Sequence, residues 1–124
     1  MVHFSLAMKT TNPLNGSVGN SRTAGIIRSH NRKKQRAAFG LLTRVNAKGV
    51  TLPVHVIVTR VAPSNGLDPH DGLGAALKGC IDGIADGLGI HNDRDERVKW
   101  ELRQRRGRPG EYAVEVTIAD GEEA

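Results

Sequence analysis

The stretch Leu67 to Val98, LDPHDGLGAALKGCIDGIADGLGIHNDRDERV, carries the chain's densest chemistry, and its periodicity decides the fold. It opens on an acidic turn containing Pro69, runs through a helical pattern over 71–88, and closes on a second acidic turn. At about 100° per residue, Asp71, Lys78 and Asp82 fall on one line, while Leu73, Leu77, Cys80, Ile81, Ile84 and Leu88 gather on the other side. One face is therefore set for burial and the other carries two carboxylates and an ammonium. Gly72, Gly79, Gly83 and Gly87 share a third direction, although each costs up to ~1 kcal/mol against Ala in a helix. Something must approach that side closely; packing against another helix or the sheet is the first expectation, a partner chain or a DNA backbone the second.

Upstream, Pro53 to Val61, PVHVIVTRV, is a β-branched run with Val54, Val56 and Val58 on one face and Ile57 on the other, the pattern of a central strand. His55 within it reads as a core histidine rather than a ligand. Residues 30–47 form a second helical pattern, with Ser29 placed to cap it and Gly49 to stop it. Its apolar positions are Ala38, Leu41, Leu42 and Val45. Arg32, Lys33, Lys34, Arg36 and Arg44 decorate the remainder. Cations in a first turn oppose the helix dipole, so helix stability does not explain them, whereas contact with phosphates would. Before this helix, Val2 to Met8 alternates as a first strand, and 11–27 is rich in Asn, Gly, Ser and Thr and reads as a loop.

Downstream, Val98, Trp100 and Leu102 alternate with Lys99, Glu101 and Arg103, and Tyr112, Val114, Val116 and Ile118 alternate in the same way. RQRRGRPG between them reads as a hairpin turn with Arg103, Arg105, Arg106 and Arg108 at its tip, a second candidate phosphate contact. The tail from 120 reads as solvated. The order β-α-β-α-β-β predicts an α/β (α+β) sandwich, a mixed or antiparallel sheet packed on two helices, in a single domain of 124 residues.

Composition narrows the function classes. The apolar fraction is 38% and only four aromatics occur, Phe4, Phe39, Trp100 and Tyr112, too few for an RNA-binding surface built on base stacking. No apolar run approaches the ~20 residues needed to cross a bilayer, so no membrane partner and a cytoplasmic location are expected. Cys80 has no companion for a disulfide or zinc site and belongs to the apolar face. The net charge of +5 hides an asymmetry, because all 13 acids lie from Asp68 onward while ten Lys and Arg precede it. A half-chain without a single carboxylate points to a polyanionic partner.

The acids could serve a phosphodiester hydrolysis, which needs a charged transition state neutralised and a water activated; carboxylate-held Mg²⁺ supplies both, with Mn²⁺ an alternative. Asp71 with Asp93, assisted by Asp68, is the preferred set. A helix of about 17 residues is ~25 Å long, so the two ends meet only if the chain doubles back. Asp82, about 16 Å along from Asp71, is assigned to an ion pair with Lys78 at four residues' separation. His70 and His91 flank the same acids.

These residues resemble a family. DGLGAALKGCIDGIADGLGIHNDRDERVKW, followed by strands ending in YAVEVTI, is similar to the RusA-type Holliday junction resolvases, many of them carried by phages and prophages; the likeness is clearest over 67–118. The resemblance implies a homodimer that uses Mg²⁺ to cut four-way DNA junctions by paired nicks, in a host cytoplasm if phage-encoded. It matches Asp71 to the second acid of the family's Asp-x-Asp-Asn motif and Asn92-Asp93 to its later acidic pair. It implies catalytic and metal-binding roles for Asp71, Asp93 and Asp68 and a catalytic role for Lys78. Arg32, Lys33, Lys34, Arg36, Arg103, Arg105, Arg106 and Arg108 are the candidate DNA contacts. This sequence departs at Pro69, where the first acid would stand, at Gly72, where the Asn would, and at Ala75, where well-known members carry the Lys. The alternative is accordingly a non-catalytic DNA-binding protein of the same fold.

Overall fold

The computed structural model describes residues 1–10, 22–63, 66 and 72–121, with the side chains of 22–30 outside that description. Six elements follow in order: β1 (Val2–Leu6), α1 (Arg22–Asn46), β2 (Val54–Ala62), α2 (Gly72–Leu88), β3 (Val98–Arg106) and β4 (Ala113–Asp120). They form one mixed sheet of order β1-β4-β2-β3 with helices packed against it, the α+β arrangement that the hydrophobic patterns predict.

β2 is central because its alternate side chains Val54, Val56 and Val58 bury completely against the helices, and both its edges find partners. β3 lies parallel to it, Val56 facing Trp100, and β4 antiparallel, Val56 facing Ile118. Parallel neighbours cannot be joined by a tight turn, and α2 supplies the crossover. The core combines these strand residues with Val114, Val116 and Phe4 from the sheet, Phe39 from α1, and Leu73, Leu77, Cys80 and Ile84 from α2.

Several sequence expectations need correction. β3 and β4 are not a hairpin, since β2 lies between them. The connection 107–112 has to step across two strand spacings, about 10 Å, which six residues span easily. Gly107 N–H donates to the carbonyl of Ala62 at 2.8 Å, so the crossing segment closes the end of β2. Arg103, Arg105 and Arg106 consequently belong to β3, not to a turn, and Asp120 ends β4 opposite Val54 rather than opening a tail.

α1 also begins earlier than expected, at Arg22, so residues 22–27 are helical and Ser29 is internal. Only Gly25 in that segment seriously opposes a helix, and the Asn- and Ser-rich composition that suggested a loop belongs to the residues before it. Residues 11–21 lie outside the described residues. Gly49, with φ +88°, ends the helical region as expected. The buried face of α1 is Phe39, Gly40 and Thr43, whereas Leu41 and Val45 are 61% and 66% exposed.

The reason lies in α2. A Cβ at Gly79 would meet the Arg32 carbonyl oxygen at 3.0 Å, one at Gly83 would meet Phe39 Cβ at 2.9 Å, and one at Gly87 would meet the Gly40 carbonyl oxygen at 2.9 Å. Those pairings place the helices side by side and running the same way. The glycine direction of α2 is thus the seat of α1, and α1 turns toward it the face that holds Phe39, Gly40 and Thr43.

Candidate functional site

Lys78 projects from the polar side of α2 and meets two carboxylates. Its Nζ is 3.1 Å from Asp82 Oδ1, one turn further along the helix, and donates to Asp93 Oδ2 at 3.2 Å. The first is the ion pair that the i, i+4 spacing predicts. The second is the tertiary event, because Asp93 lies beyond the end of α2 and the chain comes back far enough for its carboxylate to meet the Lys78 ammonium beside Asp82.

Three steps achieve the return. Gly89, with φ +77°, reverses the chain after the last helical turn, and the N–H groups of Gly89 and Ile90 bond to the carbonyls of Asp86 and Ala85. Ile90 then buries in the core and anchors the segment. Finally, the Asn92 side-chain oxygen accepts from Arg94 N–H at 2.8 Å and the Asp95 carboxylate accepts from Arg97 N–H at 2.9 Å, two local turns that fix the path to β3. Arg97 also grips Asp95 with its guanidinium, and those bonds hold the Asp95 carboxyl down at about 2.

Burial pulls the Lys78 ammonium toward its neutral form, but the bonds to Asp82 and Asp93 outweigh it and its pKa lies above the ordinary value. The ammonium stays charged between two partly exposed carboxylates. Carboxylate oxygens are hard donors of the kind Mg²⁺ prefers. Among the described residues no group of three or more His, Cys, Asp or Glu comes together. Asp68, His70 and Asp71 lie outside the described residues, position 71 being the one that precedes Gly72, the first residue of α2, in the sequence. His91 is exposed.

The basic candidates separate into two groups. Arg36 is tied to Asp86 of α2 by two bonds, Nε to Oδ2 at 2.6 Å and Nη2 to Oδ1 at 2.9 Å. Arg103 pairs with Glu101 of its own strand, and Arg105 reaches Glu115 at 3.2 Å and Glu111 at 3.7 Å. The side chains of Arg32, Lys33, Lys34, Arg106 and Arg108 form the second group, exposed cations with no carboxylate in salt-bridge range among the described residues. Sequence spacing gives no sign of the Arg36–Asp86 pair, because its members stand fifty residues apart and meet only through helix packing.

Arg60, inside the Val-rich β2 run, is a cation that no sequence signal singled out. It points from β2 to the helix side and is only 6% exposed, with Nε donating to Thr10 Oγ1 at 3.0 Å and Nη2 to the Thr10 carbonyl at 3.3 Å. Burial draws its pKa down, and no carboxylate pairs with it among the described residues. Cys80 is buried and its thiol is pushed up to about 12 by desolvation, which fits the packing role assigned to it and removes it as a nucleophile.

In comparisons with known proteins, no family model and no curated sequence matches the chain. No helix among the described residues is long and apolar enough to cross a membrane.

Proposed function

We propose that the chain is a metal-dependent endodeoxyribonuclease that acts on branched DNA, four-way junctions above all, as a homodimer of the RusA type. The observation that carries this is the return of Asp93 to Lys78: an acid from beyond the far end of α2 stands beside the cation of the helix that follows Asp71 in the chain. Asp71 and Asp93, with Asp68, would hold Mg²⁺ (or Mn²⁺), which supplies charge neutralisation and an activated water for in-line attack, leaving a 3′-hydroxyl and a 5′-phosphate. Lys78 would steady the charge that develops on the phosphate oxygens. Arg32, Lys33, Lys34, Arg106 and Arg108 would grip the arms through their phosphates, and the acid-free first 67 residues supply the matching field.

Pro69 and Gly72, in place of the family's first acid and its Asn, favour a second reading: a non-catalytic protein of the same fold that binds junctions without cutting them. One assay separates the two. A labelled four-way junction is incubated with the protein in Mg²⁺ or EDTA, beside Asp71→Asn and Asp93→Asn. Paired nicks that need the metal and vanish in both variants support the enzyme. Tight binding without nicks establishes the second reading instead, and neither binding nor cutting ends both.

A further inference from the structure

Lys78 is held from two sides by carboxylates of different character. Asp93 sits on the connecting segment and is one of the acids assigned above to the metal. Asp82 is on the same helix as Lys78, one turn away, and its side chain is the less exposed of the two, 21% against 33%. A carboxylate that coordinates a dication holds an ammonium poorly, because the dication takes its lone pairs and repels the second cation. Lys78 would then retain one described anchor.

We propose that Asp82 is a positioning residue for the reaction, holding the Lys78 ammonium beside Asp93 so that it faces the phosphate without having to be ordered during the chemical step. A lysine stem is among the side chains richest in rotamer entropy, and a free ammonium on the open face of α2 would spread over many positions. The i, i+4 carboxylate removes that freedom beforehand, and it does so on rigid helix backbone rather than on a loop. Asp82 itself touches neither the substrate nor the ion; its whole contribution passes through Lys78. This role rests on the nuclease reading.

Dependence on Lys78 alone supplies the test. Single-turnover cleavage and junction affinity are measured for wild type, Asp82→Asn, Asp82→Glu, Lys78→Ala and the Asp82→Asn/Lys78→Ala double variant. Asp82→Asn is expected to slow cleavage roughly tenfold or more with junction Kd changed less than about twofold, and Asp82→Glu to recover much of the rate. In the Lys78→Ala background, removing Asp82 should have no further effect on the rate. An equal loss from Asp82→Asn with and without Lys78, or an undiminished rate in the single variant, would overturn the role while leaving the nuclease standing. A wild-type protein that binds but does not cut removes the nuclease reading and this role with it.

Discussion

At Gly83 a single missing methyl decides how closely two helices approach. An added Cβ would stand 2.9 Å from Phe39 Cβ and 3.0 Å from Gly40 N, and the backbone of α1 cannot yield as a flexible side chain would. Gly83→Ala should therefore lower stability by about 1–3 kcal/mol from overpacking, less the ~1 kcal/mol that alanine gains in helix propensity. Gly74, on the same helix, has open space around its Cβ position, so Gly74→Ala should raise stability by up to ~1 kcal/mol. Urea unfolding of the pair reads both signs. The glycine direction is visible in the sequence as an angular coincidence. Its occupant is not, because a glycine records that something comes near and not what it is.

At the scale of elements, α1 shows how periodicity misleads. Ala38, Leu41, Leu42 and Val45 keep helical spacing, yet only Leu42 of the three larger ones packs against the core, and the glycine seat on α2 selects Phe39, Gly40 and Thr43 while Leu41 and Val45 stay exposed. Arg36 and Asp86 then clamp the two helices at their rim. The Arg36 guanidinium bonds to the Asp86 carboxyl and holds its pKa below the usual carboxylate value. A carboxyl depressed in the folded state adds stability above its unfolded pKa of about 3.9, and that stability is lost as pH falls through the folded value. Arg36 is half exposed, so water screens the pair and Arg36→Gln should cost under ~1 kcal/mol at about pH 7. The difference between variant and wild type should shrink as pH is lowered below the unfolded value, as measured by denaturation at neutral and at acid pH; a constant difference would show that the pair does not act through charge. The β3–β4 connection follows the same logic. A six-residue stretch with two glycines and a proline suits a hairpin, and it suits equally a step across the end of an intervening strand; β2 prevails because its Val face buries best between two neighbours.

For the whole molecule, charge is segregated along the chain, and folding then sorts the cations again. Pairing withdraws Arg36, Arg103 and Arg105 into ion pairs with acids of the second half, whereas Arg32, Lys33 and Lys34 stay exposed on α1. On the proposed function, neutralising Arg32, Lys33 and Lys34 together should weaken junction binding at every sequence and flatten log Kd against log salt by nearly one unit for each phosphate that is no longer neutralised. Arg103→Gln should leave that slope close to wild type, since its cation is already matched by Glu101. A titration of binding between low and moderate salt distinguishes the two. By itself the sequence determined the element order, the two helices, the Val-rich central strand, the apolar face of α2 with Cys80 in it, and the Lys78–Asp82 pair, because each is a matter of spacing within one element or of the order in which elements follow. Only the tertiary structure decided that β2 separates β3 from β4, that α1 seats on the glycines of α2, and that Asp93 comes back to Lys78. Those three join segments that no single element contains, and which of several compatible partners is chosen depends on how completely each buries the other's surface, a quantity absent from any local pattern.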